Sequence, residues 1–170
     1  MWQCRLGNPP AKVPRKIRLL GWLLGAILLL TPMATGFVVD GATWLTISVW
    51  MEARGESWEG KLGVAWAHVN RMRDSRWPDT IGDVVWQSRQ FSWTNPGDSN
   101  RMHLDELRWD DPVVKECHRA AVTALSDPTT PDPTKGANHY VNPKAVRSLP
   151  GWYRKDKVTA VLGAHEFLKL

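Results

Sequence analysis

Two carboxylates and a cation stand together in Glu52-Ala53-Arg54-Gly55-Glu56, directly after Trp50 and Met51. A carboxyl beside large apolar side chains loses hydration, which disfavours its ionised form and raises its pKa. A carboxylic acid still protonated near neutral pH can hand a proton to the leaving oxygen of a glycosidic bond. If a helix ran through the pair, Glu52 and Glu56 would be neighbours at i,i+4, and repulsion would raise one pKa further. Spacing alone does not establish this chemistry. A surface helix end carrying Glu, Arg and Glu as an ion-pair cluster accounts for the same residues more simply.

The elements that would position this cluster can be read from periodicity. Residues 41–53 predict a helix, with Trp44, Ile47, Trp50 and Met51 on one face and Gly55 as its stop. A second helix begins after Ser57 as N-cap, with Glu59 in its first turn and Leu62, Trp66, Val69 and Met72 as its stripe. Gly63, Ala65 and Ala67 are small enough to admit another helix. The run Arg71–Pro78 is its exit, and a short helix follows over Thr80–Gln87. Residues 88–111 are polar and aromatic, with a turn at Asn95–Asp98. Asp111-Pro112 opens another helix, whose inner face is Val113, Cys117, Ala120, Ala121 and Ala124. Asp127–Gly136 is irregular, and Ala137–Asn142 and Val158–Leu168 are extended. The fold class is therefore mostly α (α+β): a helical domain with a small β element near its end.

Charge is divided sharply along the 170 residues. The net +5 resides in residues 1–39, which hold Arg5, Lys12, Arg15, Lys16 and Arg18 and no acid; residues 40–170 are balanced. The basic character thus speaks of targeting, and nucleic acid is excluded as a partner of the domain. Leu19–Val39 carries no charge and as a helix would rise about 30 Å, enough to cross a bilayer's hydrocarbon core. With all the bases before it, the basic N-tail (1–18) stays cytoplasmic and residues 40–170 are exported across the bacterial inner membrane. The second half of this segment is rich in small and polar residues, including Thr31, Pro32, Ala34, Thr35 and Gly36, so it inserts weakly. It is expected to be a membrane-targeting helix that is either a cleaved signal peptide ending near Ala34-Thr35-Gly36 or a signal-anchor later released.

In order along the chain, Glu52–Glu56, Trp58-Glu59-Gly60, Asn70-Arg71, Pro78-Asp79-Thr80 and Gln90-Phe91-Ser92-Trp93 are followed by Asp132-Pro133-Thr134, Gly136-Ala137, Tyr140, Asn142-Pro143 and Gly163, His165 and Phe167. Over residues 42–168 this resembles the cell wall hydrolase family typified by the SleB-type spore cortex-lytic enzyme, which has a lysozyme-like fold and acts on peptidoglycan. Only the charged Met102–Asp110 region has no place in the pattern. The resemblance implies that Glu52 is the catalytic acid of a lytic transglycosylase, cleaving between N-acetylmuramic acid and N-acetylglucosamine. One glutamate would perform both proton transfers, with no metal and no cofactor. It further implies substrate-binding roles for Glu56, Gln90, Phe91, Trp93, Tyr140 and Asn142, with peptidoglycan glycan strands as the partner; Trp152 joins them from its place beside polar loops, and the enzyme is expected to be a monomer. A tethered, exported catalytic domain suits a phage endolysin better than a germination enzyme.

Blander roles compete for most of these residues. Trp44, Trp50, Trp66 and Trp86 belong to the core, whereas Trp93 and Trp152, next to polar loops, are candidates for the groove. Glu56 could orient the site or pair with Arg54, and Asn142-Pro143 could simply make a turn. A hydrolytic muramidase on the same bond is the alternative enzyme. A zinc amidase would need ligands from His68, His103, His118, His139 and His165, none of which form a helical i,i+4 pair. A non-catalytic wall-binding module would have no use for Glu52. Cys4 and Cys117 could pair if the N-terminus left the membrane, although two unrelated thiols are the simpler reading.

Overall fold

A computed structural model of the chain describes residues 40–127 and 129–170. The basic tail (1–18), the targeting segment (19–39) and Cys4 lie outside the described residues. Among those described, no helix is long and apolar enough to cross a membrane.

Helix α1 (Gly41–Ala53) begins where the Asp40 carboxylate accepts from the Thr43 N–H at 2.7 Å, supplying a partner to one of the free donors of the first turn. It is enclosed on nearly every side: Leu45, Thr46, Ile47, Ser48, Val49, Trp50 and Ala53 are all buried. The predicted single apolar face was too narrow, because a helix surrounded by partners has no solvent face to leave a period in the sequence. Its buried hydroxyls are matched. Thr46 Oγ1 donates to the Ala42 carbonyl at 2.7 Å, and Ser48 Oγ lies 2.8 Å from His68 Nε2.

Helix α2 (Trp58–Arg73) starts at Ser57 as expected, its hydroxyl accepting from the Gly60 N–H. Helix α3 (Ile81–Val85) is shorter than predicted, with Thr80 as its cap. Helix α4 (Pro112–Ser126) is capped by Asp111, with proline in its first turn. α4 packs across both α1 and α2, and α1 also meets α3. The inner face of α4 is Val114, Cys117, Ala120, Ala121 and Ala124; Val113, assigned to it from the sequence, points outward and is 37% exposed. Lys61 crosses from α2 to α4, its ammonium 2.6 Å from Glu116 and donating to the Glu56 carbonyl at 2.8 Å.

Three short strands close the domain: β1 (His139–Val141), β2 (Val158–Leu162) and β3 (His165–Leu168), in the order β1-β3-β2 with both pairings antiparallel. The single extended stretch read from the sequence over 158–168 is thus a hairpin, broken at Gly163, whose φ is +59°. Gly63 admits this sheet rather than a helix: a Cβ there would come within 2.6 Å of Phe167 Cζ. The Pro-rich stretch before β1 is irregular but firmly held. Asp132 accepts from the backbone of Thr134 and Gly136 and from Asn70 Nδ2, each at 2.8 Å, and Asn70 also reaches the Ala137 carbonyl at 2.9 Å. The 99–106 stretch is a 3-10 helix with no buried residue. The result is a helix-rich domain with a small sheet.

Candidate active site

The last turn of α1 delivers Glu52 to the base of a groove of about 230 Å³, lined by Glu52, Arg71, Arg89, Gln90, Phe91, His139, Tyr140 and Trp152. Among these lining residues Glu52 is the single carboxylate. Two elements distant in sequence meet it. Trp93 Nε1, from the loop after α3, donates to Oε1 at 3.0 Å, and the Tyr140 hydroxyl, from β1, lies 3.4 Å from Oε2. Burial raises the Glu52 pKa above the ordinary carboxylate value, against the opposing pull of those two hydrogen bonds and of the Arg71 charge. Tyr140 is pushed well above 10, chiefly by burial and then by the neighbouring Glu52, so it stays a neutral phenol.

The two contacts also locate the acid proton. An indole N–H can only donate, so Oε1 serves as an acceptor, and a protonated Glu52 is favoured with its hydrogen on Oε2. That oxygen faces Tyr140, whose hydroxyl can accept as well as donate.

Phe91 supports this arrangement from below. It is 4% exposed and stacks on His68 with ring centroids 4.9 Å apart and planes within 7°. His68 is fully buried; its Nδ1 lies 2.8 Å from the Val64 carbonyl, so it donates there and leaves Nε2 to accept from Ser48. Burial drives its pKa down to about 3, keeping it neutral.

The residues chosen from sequence are therefore distributed unequally. Glu52, Gln90, Phe91, Tyr140 and Trp152 meet at one groove. Trp93 is 1% exposed and cannot stack on a ligand; it holds Glu52 through its indole N–H. Glu56 is not on the groove and does not pair with Arg54, whose guanidinium sits over the Trp50 ring instead. α1 ends at Ala53, so the two glutamates are not helical neighbours. Glu56 Oε2 accepts from the Ala164 N–H at 2.8 Å, fastening the β2–β3 turn. Asn142 Oδ1 accepts from the Lys144 N–H at 3.0 Å, which makes it a turn residue outside the groove.

Arg71, Arg89 and His139 line the groove and were not selected from sequence. Arg71 had a signal, as the second member of Asn70-Arg71. Its Nε donates to the Asn138 carbonyl at 2.6 Å, and its guanidinium lies over Trp77 at 4.6 Å and Phe91 at 5.7 Å. His139 lies 4.9 Å from the Trp152 ring centroid; burial, then the charges of Arg71 and Arg76, lower its pKa to about 4. The remaining histidines are engaged separately: His118 with Thr46, His103 with Glu106, and His165 against Glu56 at 3.7 Å. Among the described residues, no group of three or more His, Cys, Asp or Glu side chains is placed to hold a metal ion. Cys117 is buried, with its thiol pushed up to about 11 mainly by desolvation.

Comparison with known proteins supplies the family and the fold. A spore cortex-lytic enzyme from Oceanobacillus iheyensis is 30% identical over 134 residues, covering 79% of this chain and 43% of that protein. The Bacillus subtilis spore cortex-lytic enzyme is 25% identical over 123 residues, covering 72% of this chain and 36% of its own length. The chain thus spans less than half the length of these relatives. Among solved structures, the catalytic domain of the germination-specific lytic transglycosylase SleB from Bacillus anthracis superposes with a TM-score of 0.59 at 24% identity, over 79% of this chain and 98% of that one. The Bacillus cereus SleB catalytic domain gives 0.57, also at 24% identity, over 79% and 94%. The model of the Cell Wall Hydrolase family matches residues 55–168, starting just past Glu52. This chain belongs to the cell wall hydrolase family.

Proposed function

We propose that the domain cleaves the β-1,4 bond between N-acetylmuramic acid and N-acetylglucosamine in peptidoglycan, as a lytic transglycosylase with Glu52 as its acid and base. The observation that carries this reading is a desolvated carboxyl at the base of a groove, fixed by Trp93 and Tyr140, with no second carboxylate among the lining residues described. In the first step Oε2–H protonates the glycosidic oxygen as the bond to the muramic anomeric carbon breaks. The resulting carboxylate is supported by the Trp93 and Tyr140 donors. It then takes the proton of the muramic C6 hydroxyl, whose oxygen closes on the same anomeric carbon to give a 1,6-anhydro end. The proton that Glu52 lost is restored and no water is consumed.

Mass spectrometry of muropeptides from digested peptidoglycan tests this directly. Anhydro ends are expected. Reducing ends would mean a hydrolytic muramidase, and free peptides beside intact glycan would mean an amidase and overturn the assignment of the bond.

The biological role proposed is bacterial lysis by a phage endolysin, first tethered through residues 19–39 and facing the periplasm. It is supported by the confinement of the net positive charge to residues 1–18, ahead of the uncharged Leu19–Val39 stretch. The intact mass of the soluble form is the test: retention of the N-terminus supports release from the membrane, and a chain starting near Phe37 identifies a cleaved signal instead.

A further inference from the structure

The groove holds more positive charge than its own carboxylate can answer. Arg71 and Arg89 both line it, and neither makes a salt bridge among the described residues. Arg71 is only 5% exposed; its Nε is committed to Asn138, while its Nη1 is buried without a hydrogen-bond partner among the described residues. An idle donor on a buried guanidinium costs stability, and where Arg71 lines the groove an anion can answer its charge. Glu52 makes no salt bridge with Arg71 among the described residues, its carboxyl being turned to Trp93 and Tyr140, and burial disfavours its ionised form. Arg89 is solvent-exposed on the same groove, held with φ at +64°, a left-handed conformation that an arginine rarely adopts. Such strain persists where surrounding structure enforces it, and it gathers at ligand sites. The neighbouring His139 stays uncharged, and Trp152 adds an apolar flank.

We propose that Arg71 and Arg89 form a carboxylate-binding subsite beside Glu52, taking a carboxyl group borne by the muramic residue or by its peptide stem. This rests on the glycan-cleavage reading above and specifies what the groove recognises next to the bond. The planar guanidinium fork matches a carboxylate with two parallel hydrogen bonds, which an ammonium cannot reproduce. Arg71, clamped between aromatic rings, supplies a fixed donor, and Arg89 supplies a second from the rim.

The test compares three substrates: stem-free glycan strands with free lactyl carboxylates, the same strands with those carboxylates amidated, and strands that retain their peptide stems. The kcat/KM of the wild type should favour a carboxylate-bearing strand over the amidated one by about tenfold, the scale of one charged hydrogen bond. In Arg89→Asn, which removes the charge while tolerating the left-handed backbone, that ratio should fall towards one. Arg89→Lys should restore part of it, and Arg71→Lys should reduce it. Because Arg89 is exposed, its variants keep the test decisive if Arg71→Lys fails to fold. Preference for stem-free strands assigns the lactyl carboxylate, and preference confined to stem-bearing strands assigns a stem carboxylate. Equal cleavage of all three by wild type and Arg89→Asn overturns the subsite and leaves glycan cleavage standing. Absence of cleavage in the wild type overturns both.

Discussion

Glu52 and Glu56 stand four residues apart in one motif and have been folded to opposite uses. Glu52 is turned into a groove, where aromatic side chains strip its water and two donors fix its orientation. Glu56 is turned to the β2–β3 turn, where its carboxylate accepts a backbone N–H and crowds Gly163 so closely that a Cβ there would collide with it. The helix end between them makes the difference. Once α1 stops at Ala53, the chain changes direction and the second glutamate no longer follows the first. One carboxylate is destabilised in its ionised form, and the other fastens a turn.

The sharpest way to break this comparison is Glu52→Gln. Loss of a general acid and base costs about 10²–10⁴ in rate, so peptidoglycan turnover should nearly vanish. Stability should move the other way. A carboxylate whose folded pKa lies above its unfolded value weakens the fold at pH values above the unfolded pKa, near 4.5. The variant's thermal midpoint at pH 7 should therefore equal or exceed the wild type's, with the gap closing as pH falls through 4.5. A fully active Glu52→Gln beside an inactive Glu56→Gln would reverse the assignment.

Trp93→Phe sharpens the first half of the comparison. It removes the donor that favours the Glu52 carboxylate, so the Glu52 pKa rises further and the alkaline limb of the kcat/KM profile moves to higher pH. The fall in rate should be about tenfold, from loss of one hydrogen bond to a charged group. An unshifted limb would show that the indole has no hold on the acid.

Glu56→Ala tests the other half. Denaturant unfolding should show a loss of about 1–2 kcal/mol, the scale of one charge-assisted hydrogen bond partly replaced by water. The specific activity of the folded fraction should be largely kept. A collapse in kcat with unchanged stability would put Glu56 back at the site.

A pH-dependence of stability is expected from His68, away from both glutamates. Its folded pKa, about 3, lies below the unfolded value of 6.5, so its contribution is complete above pH 6.5 and declines as pH falls towards 3. The slope is about 1.4 kcal/mol per pH unit at most. His68→Gln should flatten it in urea titrations between pH 6 and pH 4.

The sequence carried the helices well wherever caps announced them. Ser57 and Asp111 cap as read from the sequence, and Asp40 and Thr80, not singled out there, cap as well. Periodicity served α4, which has a wet face; it located α1 and α2 but understated their buried faces, because both are packed almost all round. The hairpin in 158–168 was hidden because Gly163-Ala164 is a weak turn signal inside an extended run. At the site, five of the eight selected residues reach the groove. Trp93 was chosen as an exposed stacker because its polar neighbours suggested a surface loop, yet its indole points inward. Arg71 was overlooked because a basic residue in the last turn of a helix ordinarily needs no explanation beyond the helix dipole; that it is buried against Asn138 is a long-range fact.

The hydrogen bonds to Glu52 also tie proton transfer to the mechanics of the groove. Trp93 belongs to the loop after α3 and Tyr140 to β1, so the acid is the node where two distant parts of the chain meet. Bonds to an ionised acceptor are roughly twice as strong as those to a neutral one. The loop and the strand are accordingly gripped harder after Glu52 has given up its proton than before. On the proposed mechanism the groove would grow stiffer while the cleaved sugar awaits ring closure and slacken once the proton returns, when product must leave. Amide exchange across 90–94 and 139–141 should slow as pH is raised through the Glu52 titration, after correction for intrinsic exchange.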